Sequence, residues 1–242
     1  ANIDGFAFEE KEISVAKRNE LDRWILSELN TLIKFVDDAY ADYEPTKACR
    51  AIADFVGDHL SNWYVRLSRR RFWKGEYAED KIAAYQTLYT CLETVALLMS
   101  PVAPFFADKL YRDLNNISER NDAVSVHHAD FPMANPKYID KALEERMELA
   151  QKISSMVLSL RKKVNIRVRQ PLNKILIPVL EEGFQQKVDS VKDLILAEVN
   201  VKQIEYITDT AGILVKKIKP NFKVLGKKVG GLMRDVAAFI GE

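Results

Sequence analysis

Cysteine is scarce in this chain: Cys49 and Cys91 are the only two in 242 residues. Two thiols cannot build a disulfide framework or a four-cysteine zinc site, and three histidines add little to either. Unpaired cysteines within helical patterns fit a reducing compartment, so the expected location is cytoplasmic. Glycine and proline number nine and eight, too few for a collagen-like or low-complexity chain. Long apolar runs are missing as well. The most apolar stretch, Thr94 to Ala107, has 14 residues and two prolines, whereas a membrane-spanning helix needs about 20 apolar residues. The acidic start, ANIDGFAFEEKEIS, has neither the basic opening nor the apolar core of a signal peptide. The chain starts on Ala1, which removal of an initiator Met explains as readily as a fragment of something longer does, and its first 19 residues read as a loop, as expected of a linker in such a fragment. Excess charge of one sign is also lacking. Lys and Arg total 36, Asp and Glu total 35, and 48% of residues are hydrophobic, which excludes disorder.

The net charge of +1 is an average over two unlike parts. Residues 1–160 carry 20 basic and 26 acidic side chains, a net of −6, and residues 161–242 carry 16 and 9, a net of +7. A basic segment therefore follows an acidic one.

Hydrophobic spacing makes the first part almost entirely helical. Leu21, Trp24, Ile25, Leu29, Leu32, Ile33, Val36 and Tyr40 recur at three- and four-residue intervals, the stripe of an amphipathic helix. A second helix is predicted from Thr46, as N-cap, to Trp73, where Gly75 breaks it. A third starts near Glu79 and is interrupted at Ser100-Pro101, with a short helix following to about Leu114. A loop covers residues 115–136, and a long helix runs from about Tyr138 to Lys163. Then the pattern changes. Lys174 to Leu180 and Gln203 to Ile207 read as strands on either side of a helix from Phe184 to Val199. A further strand over Ile213 to Ile218 and a last helix over Val229 to Ile240 are predicted. The expected fold is mainly α: a linker over 1–19, a helix bundle over 20–163 and a small α/β module over 164–242.

The end of the second helix, LSNWYVRLSRRRFWK, carries the main functional hint. At 100° per residue Val56, Leu60, Trp63, Tyr64 and Leu67 share an arc that should face the core. Arg66, Arg69, Arg70 and Trp73 fall on a different side. Arg71 sits on the apolar arc and must snorkel or pair with a buried carboxylate. Guanidinium groups beside an exposed indole suit phosphates and unstacked bases, since the charges hold the backbone and the ring stacks. Asn62, Tyr64 and Lys74 are weaker candidates for the same role. A solvated helix end, whose cations complement the helix dipole, has the same composition, so that alternative stays open.

A second cluster lies near the end of the chain, where six lysines from Lys216 to Lys228 are set among glycines. Lys227 and Lys228 are candidates for phosphate contact. The spacing fits neither GxGxxG nor GxxxxGK[ST], so no nucleotide site is assigned. His127 and His128 are adjacent, point in different directions and make a poor metal pair; they read as loop residues packing the bundle end. No catalytic constellation stands out.

Several segments together resemble the isoleucyl-tRNA synthetases, a class I aminoacyl-tRNA synthetase family. They are LDRWILSELN (21–30), DHLSNWYVRLSRRRFWKGE (58–76), AYQTLYTCLETVALLMSPVAPFFADKLYRDLN (84–115), SVHHADFP (125–132), RVRQPLNKILI (167–177), ILAEVNVKQIEYI (195–207) and PNFKVLGKKVGGLM (220–233). The likeness runs in order over nearly the whole chain. It implies the anticodon-binding helical domain plus part of the C-terminal region. Neither a HIGH-type nor a KMSKS-type motif is present, so the resemblance places ATP, Mg and the joining of isoleucine to tRNA in a catalytic domain outside these residues. The chain itself should then be inactive, metal-free and cofactor-free. Its implied partner is the anticodon stem-loop of isoleucine tRNA, with no role for DNA or a membrane. The alternatives are a helical protein–protein interaction module or the equivalent region of a valyl or leucyl enzyme.

Overall fold

The computed structural model describes residues 4–74, 76–179 and 183–208. The chain forms two compact units that divide between Lys152 and Ile153, within a helix rather than at its end. The predicted strand over 213–218, the last helix over 229–240, Lys227 and Lys228 all lie outside the described residues.

In the first unit, helix α1 spans Glu20–Ala41. The Asn19 side chain caps it, accepting from the Leu21 amide, and Glu20 and Asp22 in its first turn complement the dipole. Its apolar stripe is buried as the spacing predicts, with Trp24, Ile25, Leu29 and Val36 at 2% exposure or less. Helix α2 covers Pro45–Asp54. It starts on proline, whose missing N–H costs nothing in a first turn, and not on a Thr46 cap. The predicted single helix to Trp73 is in fact three pieces. After α2 the chain widens into a π-helical segment over Phe55–Val65, turns at Ser68, and closes with the short helix α3, Arg69–Trp73.

Helix α4, Glu79–Met99, is the central helix and touches α1, α2, α3 and α5. By length and composition it could cross a membrane, but twelve of its residues are buried in this unit. Helix α5, Pro104–Ser118, follows, again with proline in its first turn and Glu119 closing it at φ 49°. His127 and His128 are exposed in a short 3₁₀ turn. The packing expected of them falls to Val126, which is 2% exposed.

The segment before α1 has little regular structure, yet it is strapped along α4. Asp4 pairs with Lys81 at 2.8 Å and accepts from the Tyr85 hydroxyl at 2.6 Å. Phe6 stacks on Tyr85, and Phe8 meets the edge of Tyr89. Gln86 accepts from the Ile13 amide, and buried Arg18 donates to Thr87.

Helix α6 spans Lys141–Lys163 and runs through the division. In the second unit, strands β1 (Leu172–Pro178) and β2 (Val201–Ile207) pair in parallel, Leu172 opposite Val201. The predicted helix between them is two, α7 (Phe184–Asp189) and α8 (Lys192–Val199). The spacing of Val188, Val191, Leu194, Ile195 and Val199 predicts one apolar face; all but the half-buried Leu194 are buried, together with Val201 and Ile204. A helical bundle followed by a small α/β module is the fold class read from the sequence.

Candidate nucleic-acid interface

Helix α3 is too short to stand alone; isolated helices below about 12 residues are marginal in water. Two consecutive side chains, Arg71 and Phe72, hold it. Arg71 points inward, its Nη1 and Nη2 each 2.8 Å from one of the two carboxylate oxygens of Asp22 on α1. The same guanidinium donates from Nε and Nη2 to the Asp80 carboxylate at the start of α4. The Tyr64 hydroxyl donates to Asp22 Oδ1 at 2.6 Å. Asp22 is fully buried, so this is a desolvated ion pair with its lone pairs filled by charge-assisted bonds. Burial works against the Arg71 charge, but Asp22 and Asp80 outweigh it and raise its pKa above the ordinary value. The Tyr64 hydroxyl is also pushed up, by burial first and then by the Asp22 carboxylate. Next to Arg71, Phe72 packs between the rings of Tyr64 and Tyr85.

With Arg71 and Phe72 turned in, the remaining side chains of α3 face water. Arg69, Arg70 and Lys74 are exposed and Trp73 is 68% exposed. Arg69 and Arg70 form no ion pair among the described residues. Arg66 is exposed too, its Nε donating to the Asn62 carbonyl at 2.6 Å, and Asn62 lies exposed beside it. The structure thus brings Asn62, Arg66, Arg69, Arg70, Trp73 and Lys74 to one helix end.

Tyr64 is a correction. The sequence makes it a weaker candidate for RNA contact, but it has no exposed surface and spends its hydroxyl on Asp22. It cannot stack on a base; it holds the platform from beneath. Of the two options for Arg71, snorkelling or pairing with a buried carboxylate, it takes the second, and Asp22 is the partner that the sequence pattern does not name. The signal was there: Asp22 lies three residues before Ile25 and seven before Leu29, on the buried stripe of α1.

Elsewhere in this unit an apolar cleft of about 590 Å³ is lined by Ile52, Val56, Leu92, Val95 and Phe106 among others. It gathers no opposed ionisable groups, so it lacks the chemistry of an active site. Among the described residues no group of three or more His, Cys, Asp or Glu side chains is placed to hold a metal ion.

The family described as the anticodon-binding domain of tRNA ligase matches residues 22–176, from the buried Asp22 into β1. Isoleucine–tRNA ligase of Cytophaga hutchinsonii is 60% identical over all 242 residues of this chain, which cover 22% of that protein. The protein of the same name from Bacteroides thetaiotaomicron is 58% identical, with 21% of it covered. The one from Dehalococcoides mccartyi strain 195 is 46% identical over 204 residues, 84% of this chain and 20% of that protein. The chain therefore spans about a fifth of the length of the curated relatives it matches.

Proposed function

This chain belongs to the anticodon-binding domain family of tRNA ligases, and from that premise we propose that it grips the anticodon stem-loop of isoleucine tRNA. The carrying observation is the helix end at α3: exposed arginines and an exposed indole on a turn pinned from below by Asp22 and Tyr64. Arg69 and Arg70 hold phosphates, and Trp73 offers its face to an unstacked base. The whole protein of which this is a part joins isoleucine to tRNA. ATP and Mg serve that step in parts of the relatives' length that these residues do not span. Free thiols at Cys49 and Cys91 accord with a cytoplasmic place beside translation. Arg66, Arg69 and Arg70 all locked in salt bridges with bundle carboxylates would favour the protein–protein alternative, and among the described residues Arg69 and Arg70 form none. The valyl or leucyl alternative is not favoured either, since the relatives at 60% and 58% identity are isoleucine ligases.

Fluorescence anisotropy against an isoleucine anticodon stem-loop and the same stem with a scrambled loop tests the proposal. Trp73→Ala is expected to weaken binding by about 1–3 kcal/mol, the worth of one base stacked on an aromatic ring. Arg69→Gln with Arg70→Gln should lower the dependence of affinity on salt by about one phosphate contact each. Equal affinity for both loops, or no effect of Trp73→Ala, would refute the anticodon role.

A further inference from the structure

From Leu149 to Leu180 the chain has no acidic residue and seven basic ones: Lys152, Arg161, Lys162, Lys163, Arg167, Arg169 and Lys174. The middle five fall in the end of α6 and the loop to β1. One of them is structural. Arg161 is 3% exposed, and its guanidinium donates to the carbonyls of Arg167 at 3.1 Å, Gln170 at 3.0 Å and Asn200 at 2.9 Å. Asn200, just before β2, is in the left-handed region at φ 51° and donates its amide to the Val168 carbonyl at 2.8 Å. The loop is thus tied down through its own carbonyls by a buried cation and an asparagine.

The other four, Lys162, Lys163, Arg167 and Arg169, are exposed and form no ion pair among the described residues. Exposed lysines nearby behave differently: Lys152 pairs with Glu148 and Lys174 with Glu205. Four cations at the end of α6 and on the anchored loop after it, unpaired among the described residues, present their charge to a polyanion, and two are arginines, whose forks bind phosphate in bidentate fashion. We infer that this loop is a second RNA contact, gripping the phosphodiester backbone without reading bases. The inference rests on the RNA-binding reading above but not on recognition of the anticodon. It assigns a site in the second unit, apart from the α3 residues.

The test is a salt series of anisotropy measurements on the 242-residue chain and its Arg167→Gln/Arg169→Gln variant. Both RNAs above are used, with poly-glutamate as a non-nucleic polyanion. Both arginine side chains are exposed, so the variant should fold, and far-ultraviolet circular dichroism checks that it does. The expected result is a loss of about tenfold or more at moderate salt, equal for the two loops, with the log–log salt slope shallower by roughly 1.4–1.8. That result stands even if the parent chain shows no preference between loops, an outcome that would sink only the anticodon reading. The inference is overturned if affinity and slope are unchanged, or if the loss is confined to one loop. It is overturned too if the variant loses poly-glutamate but keeps RNA, or if the parent chain binds neither RNA.

Discussion

Replacing Asp22 with alanine is expected to cost about 3–5 kcal/mol of stability, the usual result of removing one partner of a buried ion pair. The magnitude follows from what is left behind. Arg71 would keep a guanidinium that is only 14% exposed, with the Asp80 carboxylate as its remaining charged partner. Tyr64 would keep a fully buried hydroxyl within reach of the Ala84 carbonyl at 3.2 Å, a longer bond than the one it lost. Urea unfolding of the chain measures the loss. Asp22→Leu combined with Arg71→Met should be milder than the sum of the two single changes, because neither charge is then stranded. Strict additivity would mean that the pair does not brace α3. RNA affinity should fall in Asp22→Ala under conditions where the variant is still folded, since Arg69, Arg70 and Trp73 would sit on a loosened turn.

Glu28 should make the first unit less stable as pH rises, and Glu28→Gln should remove that slope. The Glu28 carboxyl accepts from the Trp24 indole N–H at 3.1 Å. Burial, and then the nearby Glu144 and Glu148 carboxylates, push its pKa up to about 7 against the Trp24 bond and Lys141. Glu144 is itself buried and receives bonds from Ser27, Thr31 and Lys141. A carboxyl whose folded pKa lies above its unfolded value near 4.5 holds its proton more tightly in the native state. Its contribution is complete below that unfolded value and is lost as pH rises through about 7, by at most about 3 kcal/mol. His59, lowered chiefly by burial, contributes the opposite slope. The informative quantity is therefore the difference between parent and variant. Glutamine copies the protonated carboxyl, so Glu28→Gln should unfold at higher urea at pH 8 and match the parent near pH 5. Parallel curves at all three of pH 5, 6.5 and 8 would refute it.

Much of this architecture is legible in the residues because it depends on period. The α1 stripe, the start of α4 and the β-branched runs at β1 and β2 follow from alternation and three-to-four spacing. The basic face of α3 is legible for the same reason. What periodicity misses is the change of period itself. A π-helical segment bonds each residue to the fifth rather than the fourth along, so a 100° wheel carried through Phe55–Val65 drifts from the true faces. Leu60, Trp63 and Tyr64 still came out buried, while Val56 and Leu67 are only half-buried. The pattern fits Tyr64 to both the core arc and the RNA surface; the structure puts it in the core, with its hydroxyl on Asp22. The Asp22–Arg71 pair joins residues 49 apart in sequence. Each alone breaks a local rule, an acid and a base on apolar faces, and only together do they make sense. The anchored loop after α6 is hidden differently: its charges are visible, but which of five cations is spent internally is decided by three carbonyls, two from the loop and one from the corner before β2, that converge on Arg161 at the end of α6.

The strap along α4 sets where this unit can be cut. Its α-helices begin at Glu20, and a boundary drawn from them would trim everything before it. Such an excision would remove the Asp4 carboxylate from Lys81, which is only 6% exposed, and bare the rings of Tyr85 and Tyr89. The Tyr85 hydroxyl also reaches the Phe72 carbonyl at 3.4 Å, so the damage would extend to the helix that carries Trp73. For expression and engineering, the smallest self-sufficient piece of this bundle includes a stretch that looks dispensable.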